Sequence, residues 1–215
     1  MSRGYEILRL DDLDRVPYRG SGETLRPLRL HLGITAFGAN VWSAEEAGGK
    51  LIPPHEEQSG HEELYVVVRG RARFTLGDQT ADAPEGSLLH VDAGTFRTAV
   101  AAEPGTMVLA VGGKEGEPFH GGGWENVHAA FAKLDAGDVS GGRELMRTTI
   151  VDGQEAWGGH YNLACYEALA GNTDAALDEL RTAIDLDRDQ VMKWLPHDED
   201  LDSLRGDPRF VELAR

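Results

Sequence analysis

Between residues 28 and 113 the apolar positions come in short runs that alternate with polar ones. From residue 124 onward they recur every three or four positions. Alternation is the mark of strands with one buried face, and the longer period is the mark of amphipathic helices. The first region predicts strands over Leu28–Leu32, Ile34–Ser43, 63–69, 71–77, 79–82, 87–91, 95–101 and 106–111. Gly77-Asp78, Pro84-Glu85-Gly86, Asp92-Ala93-Gly94 and Glu103-Pro104-Gly105 punctuate them as turns. Short strands at this even spacing imply an antiparallel sandwich or barrel. Within 63–69 the alternation places Glu63, Tyr65 and Val67 on one face and Leu64, Val66 and Val68 on the other.

The second region predicts helices over Glu125–Leu134, Gly141–Ile150, Trp157–Ala170 and Thr173–Leu186, with short helices after Asp189. Gly112 to Gly123 reads as a linker by composition. Residues 1–27 read as an arm, with an apolar patch of Tyr5, Ile7, Leu8 and Leu10 followed by Pro17, Gly20, Gly22 and Pro27. Such an arm can lie on a sheet edge, its own or a partner's. The chain therefore divides into an arm (1–27), a β barrel (28–113), a Gly-rich linker (114–123) and a helical region (124–215).

Composition narrows the function classes. The 215 residues are 40% apolar and 27% charged, as in an ordinary soluble protein, and no run of 18 apolar residues occurs. The net charge is −16, and both halves are acidic. That excludes broad attraction to nucleic acid or to anionic membrane. The acidic N-terminal stretch does not read as a signal peptide, and a single cysteine, Cys165, permits no internal disulfide. A cytoplasmic location is expected. No phosphate loop, dinucleotide fingerprint or nucleophile elbow is present.

The chemistry concentrates in one stretch. His55, Glu57, His61, Glu62 and Glu63 fall within nine residues, just before a strand. Imidazoles and carboxylates at the mouth of a hydrophobic sheet suit a metal or a polar ligand. With Gly49 six positions before His55, and Gly70 seven after Glu63, the stretch resembles the first cupin motif. Pro84-Glu85-Gly86 and the strand to Val91 resemble the second. The resemblance covers about residues 28–113 and implies an antiparallel jelly-roll barrel. It also implies a metal site of three His and one Glu. Here Glu57 stands at the second His, the gap from Glu57 to Glu63 is too long, and Arg97 stands at the last His. The matched ligands are His55 and Glu63, and His61 or Glu57 can replace the missing one. Zinc, iron, manganese or nickel would suit such donors. Arg97 cannot coordinate a metal, and it can pair with Glu63 or clamp an anion instead. Both alternatives stand: one divalent transition metal on His55, Glu57, His61 and Glu63, or a metal-free ligand pocket lined by Tyr65, His90 and Arg97.

The second helical pair resembles a tetratricopeptide repeat. Leu163, Ala164, Gly171, Ala176, Leu180 and Ala183 fall on its signature positions, with Glu167 where an aromatic is expected. Thirty-four residues earlier, Ala130, Gly137, Gly142 and Met146 answer Ala164, Gly171, Ala176 and Leu180. Two repeats are few, which implies packing on another surface. The expected function is a cupin-fold small-molecule binder with a helical interaction module for a protein partner, assembled as a homodimer. The alternative is a metal-dependent dioxygenase or isomerase using His55, His61 and Glu63.

The division predicts distinct spectra for the two parts. In far-UV circular dichroism, a fragment of residues 1–118 gives a β signal and one of residues 124–215 a helical signal. A mainly helical 1–118 fragment contradicts the division.

Overall fold

The computed structural model describes residues 6–20, 22–57, 60–117, 119, 123–150 and 156–215. Tyr5 of the arm and His120 of the linker lie outside the described residues. The chain forms two compact units, residues 1–121 and 122–215.

The first unit contains two antiparallel sheets. Its strands are β1 (Val16–Pro17), β2 (Thr24–Arg26), β3 (Gly38–Ala44), β4 (Lys50–His55), β5 (Glu62–Arg69), β6 (Arg71–Leu76), β7 (Gln79–Pro84), β8 (Leu88–Val91), β9 (Arg97–Ala101) and β10 (Thr106–Gly113). One sheet runs β1-β2-β3-β10-β5-β8 and the other β4-β9-β6-β7. The Tyr65 ring on β5 meets the Phe74 ring on β6 with centroids 5.5 Å apart, so the two sheets share one core. Around that pair Ile52, Val67, Ala72, Ala99 and Val108 are all buried. Burying such side chains is the main favourable contribution to folding.

The sheet begins earlier than the sequence pattern implies. β1 and β2, assigned to the arm, pair with each other and place β2 on the edge of β3, with Leu25 opposite Trp42. Pro17 is tolerated there because an edge strand does not need every N–H. The segment before it is tied to the same sheet, since Arg69 at the end of β5 donates to both Asp11 carboxylate oxygens, at 3.1 and 2.9 Å.

Leu28–Leu32, expected as a strand, is instead a one-turn helix, α1. Alternation over five residues does not distinguish the two periods. What decides is Gly33, whose φ of 65° closes the turn, while the Ile34 N–H reaches the Arg29 carbonyl at 3.0 Å. The β4 strand, read as a lead-in, pairs with β9 through two register irregularities, one between Lys50 and Ile52 and one between Ile52 and His55. They deliver His55 directly opposite Arg97.

The second unit holds α2 (Trp124–Asp135), α3 (Val139–Arg147), α4 (Ala156–Leu169), α5 (Thr173–Trp194) and α6 (Pro208–Leu213), with a 3-10 turn at Glu199–Leu204. α2 and α4 end in the same way. The Asp138 N–H bonds the Lys133 carbonyl and the Asn172 N–H bonds that of Glu167, both across five residues, with Gly137 and Gly171 at φ 85° and 79°. Only glycine takes that conformation cheaply, and so each turn stops its helix at the same point. Ala130, Ala164, Ala176, Met146 and Leu180 are all fully buried in a single core. Gly142 is required where α3 meets α2 and α4: a Cβ there would lie 2.7 Å from the Ala130 carbonyl oxygen. α5 breaks at Asp187 (φ −152°, ψ 84°), whose carboxylate accepts the Gln190 N–H and starts the following turns.

Glu167 is buried and joins the helices by charge. Arg143 on α3 donates to both its oxygens, one at 2.9 Å, and the Asn172 amide donates at 2.8 Å. Burial alone would raise the Glu167 pKa, but these donors outweigh it and hold it below the ordinary carboxylate value. The folded-state value is depressed, so the contribution is complete above about pH 4.3 and is lost as pH falls through the folded value. Glu167→Ala should therefore lower unfolding free energy by about 1–3 kcal/mol in urea titrations at pH 7, because it removes the acceptor shared by Arg143 and Asn172. Glu167→Gln should flatten the fall in melting temperature between about pH 5 and pH 3.

Candidate functional site

The inward face of β5 carries Glu63, Tyr65 and Val67, and this register sets the site. Glu63 opposes Gly112 on β10, whose missing side chain leaves room: a Cβ there would lie 3.3 Å from the Glu63 Cγ. One oxygen, Glu63 Oε2, gathers three side chains from three strands. The Tyr65 hydroxyl donates to it at 2.5 Å, Arg97 Nε lies 3.4 Å away, and His55 Nε2 lies 3.6 Å away. His55 bonds the Pro53 carbonyl through Nδ1 at 2.7 Å, which makes Nδ1 the protonated nitrogen and aims Nε2 at the carboxylates.

Glu57 completes the group, with Oε1 3.9 Å from His55 Nε2. Its loop is pinned by the turn between β8 and β9, where the Gly94 N–H donates to the Glu57 carbonyl at 3.2 Å. His61 stands beside this group, with Nδ1 4.0 Å from Glu57 Oε2, and its ring stacks on Phe119 at 5.1 Å. Phe119 in turn lies over Gly38, where a Cβ would come within 2.5 Å of its ring.

Electrostatics follow from these contacts. Burial alone would lower the His55 pKa, but hydrogen bonds to Glu63 and the Pro53 carbonyl outweigh it, and the net shift is upward. Burial alone would raise the Glu63 pKa, but His55, Tyr65 and Arg97 outweigh it, and the net shift is downward. Burial and the Glu63 charge push the Tyr65 hydroxyl far up, so it stays a donor. The pocket is thus a carboxylate held ionised by a cation, an imidazole and a phenol.

The residues expected from sequence do not all meet. His55, Glu57 and Glu63 each offer a ligand atom within 4.8 Å of the others. These donors fit a divalent transition metal in type and spacing, with Arg97 competing for Glu63. His61 lies outside that triplet and belongs with Phe119. His90, assigned to the pocket, faces the opposite way: it pairs with Leu64 on the outer face and contacts Glu62 at 2.7 Å. The reason is parity, since His90 is one residue from the inward Val91. Phe119 and the positioning carbonyls of Pro53 and Asp92 were not foreseen, because backbone acceptors and linker residues carry no sequence signal.

The site thus sits on two antiparallel sheets of a β-rich unit, with imidazole and carboxylates at one mouth. No family model matches the chain. A Streptomyces coelicolor protein, uncharacterized protein SCO3923, is 30% identical over 92 residues, which cover 41% of this chain and 77% of that protein. The chain belongs to the family of that protein. Solved structures similar to it include a cupin protein from Bacteroides fragilis, at 20% identity and TM-score 0.43 over 56% of this chain and 92% of that one. A sugar phosphate isomerase from a cupin superfamily, from Silicibacter pomeroyi, shares 20% identity at TM-score 0.43 over 51% and 76%. A predicted oxalate decarboxylase from Thermotoga maritima shares 16% at TM-score 0.41 over 50% and 97%.

The Arg97–Glu63 pair makes a stability prediction. Arg97→Ala strands a partly buried carboxylate and should cost about 3–5 kcal/mol in chemical unfolding. Adding Glu63→Gln should recover part of that cost, giving a non-additive double-mutant cycle. Additive losses would show that the two side chains do not interact.

Proposed function

We propose that this chain is a cupin-fold small-molecule-binding protein whose ligand sits at the mouth formed by His55, Glu57, Glu63 and Arg97. The observation that supports it most is the convergence of Tyr65, His55 and Arg97 on one oxygen of Glu63, at 2.5, 3.6 and 3.4 Å. In this reading Arg97 supplies inside the barrel the positive charge that a metal would supply. The β unit is a jelly roll, and the helical unit is a tetratricopeptide-like module that docks a protein partner. The identical helix ends 34 residues apart support the second point. The outer face of the larger sheet exposes Leu64 and Leu88, at 37% and 68%, which supports a homodimer of cytoplasmic subunits.

A second reading has its own support in the His55, Glu57 and Glu63 triplet. There a divalent transition metal would be held by those three side chains and would supply Lewis acidity for an isomerase reaction, or, if redox-active, activate dioxygen for a dioxygenase reaction. The expected set of His55, His61 and Glu63 then becomes His55, Glu57 and Glu63. A metal and a proton would compete for His55 Nε2, and metal and Arg97 for Glu63.

Elemental analysis and thermal unfolding with and without chelator separate the two. The first reading expects sub-stoichiometric transition metal and a melting temperature that chelator does not change. It also expects some members of a metabolite panel to raise the melting temperature of the native protein but not of His55→Ala or Glu57→Ala. Stoichiometric metal with a chelator-lowered melting temperature selects the second reading. Neither metal nor metabolite binding overturns both.

A further inference from the structure

Arg97 is fully buried, yet two of its three side-chain nitrogens have no hydrogen-bond partner. Nη2 donates to the Asp92 carbonyl at 2.9 Å. Nε is close enough to Glu63 Oε2 for attraction, at 3.4 Å, but makes no hydrogen bond, and Nη1 makes none either. Buried donors are almost always satisfied, and a buried guanidinium most of all. Among the described residues none supplies the missing acceptor, which leaves two buried donors for a ligand to meet.

We propose that the mouth binds a small organic monocarboxylate that carries hydroxyl groups, and that its carboxylate is the acceptor for Arg97. This rests on the reading of the mouth as a small-molecule site. A planar guanidinium matches a carboxylate in shape and charge. A dianion such as phosphate is disfavoured, because Glu57 and Glu63 stand at the same mouth. Those two carboxylates accept hydrogen bonds, so they suit hydroxyl groups on the same ligand. The stacked rings of His61 and Phe119 supply an apolar wall beside them.

Entry follows the exposure gradient. The side chains of His55, Glu57 and Glu63 are 31%, 26% and 16% exposed, and that of Arg97 is 0% exposed. The carboxylates are thus the more accessible groups and the guanidinium the deepest, and the proposal requires Glu63 to move for the ligand to reach it.

The test uses the full chain with four probes: lactate, gluconate, sorbitol (the uncharged counterpart of gluconate) and inorganic phosphate. Titration calorimetry should show saturable binding of lactate or gluconate, with sorbitol and phosphate at least about tenfold weaker. Arg97→Gln should lose about tenfold or more, and Arg97→Lys, which keeps the charge without the planar fork, should fall between. Should Arg97→Gln fail to fold, the side-chain 15N–1H resonance of Arg97 in the native protein decides: it shifts on adding the carboxylate. No shift, equal binding of sorbitol and gluconate, preference for phosphate, or undiminished binding by Arg97→Gln would overturn the proposal. If none of the four probes binds while a metabolite or divalent metal does, this inference falls and the mouth remains a binding site. If nothing binds, both fall.

Discussion

The site depends on a buried charge pair, and the β unit is arranged to hold it. Arg97 has no exposure, and a guanidinium cannot shed its charge, so an anion has to accompany it inside the barrel. Glu63 is that anion. It is kept ionised by the same neighbours that orient it, since Tyr65 donates to it and His55 faces it. The surrounding backbone meets the demands of this pair. The Asp92 carbonyl takes one guanidinium nitrogen, the Pro53 carbonyl fixes the imidazole, and Gly112 makes room for the carboxylate. A buried ion pair of this kind is weak evidence for extra stability, because desolvation offsets the attraction. Its consequence is a polar centre in an otherwise apolar sandwich.

That centre places a guanidinium beside a group of side chains that could otherwise hold a metal. The donors of His55, Glu57 and Glu63 still converge within 4.8 Å. Arg97, directly across β4 and β9 from His55, puts a fixed positive charge where a cation would otherwise be most stabilised. Metal, proton and guanidinium are alternatives for the same two acceptors, His55 Nε2 and Glu63 Oε2. Two irregularities in the β4–β9 pairing, the second spanning Pro53 and Pro54, bring His55 into register with Arg97.

The helical unit solves a similar problem with different means. Its small residues, Ala130, Gly142, Ala164 and Ala176, let helices approach closely, and the side chains around them fill one core. Glu167 is buried, and its burial is made tolerable by Arg143 and Asn172. Charge at a packed helix interface costs less when three donors converge on it than when one does.

Much of this was legible in the sequence. The change of hydrophobic period near residue 124, the turn dipeptides and the 34-residue echo of glycine and alanine are local signals, and local signals survive in one dimension. The alternation through Glu63, Tyr65 and Val67 was legible for the same reason, because side-chain parity is a property of the strand itself. Tertiary structure decided what alternation over a few residues leaves open. Leu28–Leu32 became a helix once Gly33 closed its turn, and Thr24–Arg26 joined the sheet once β3 offered an edge. It also decided which face looks inward. His90 went outward with Leu64, Arg97 went inward beneath Glu63, and His61 went to Phe119. Those outcomes depend on pairing register between strands far apart in the chain, and pairing register is not carried by any one stretch of residues.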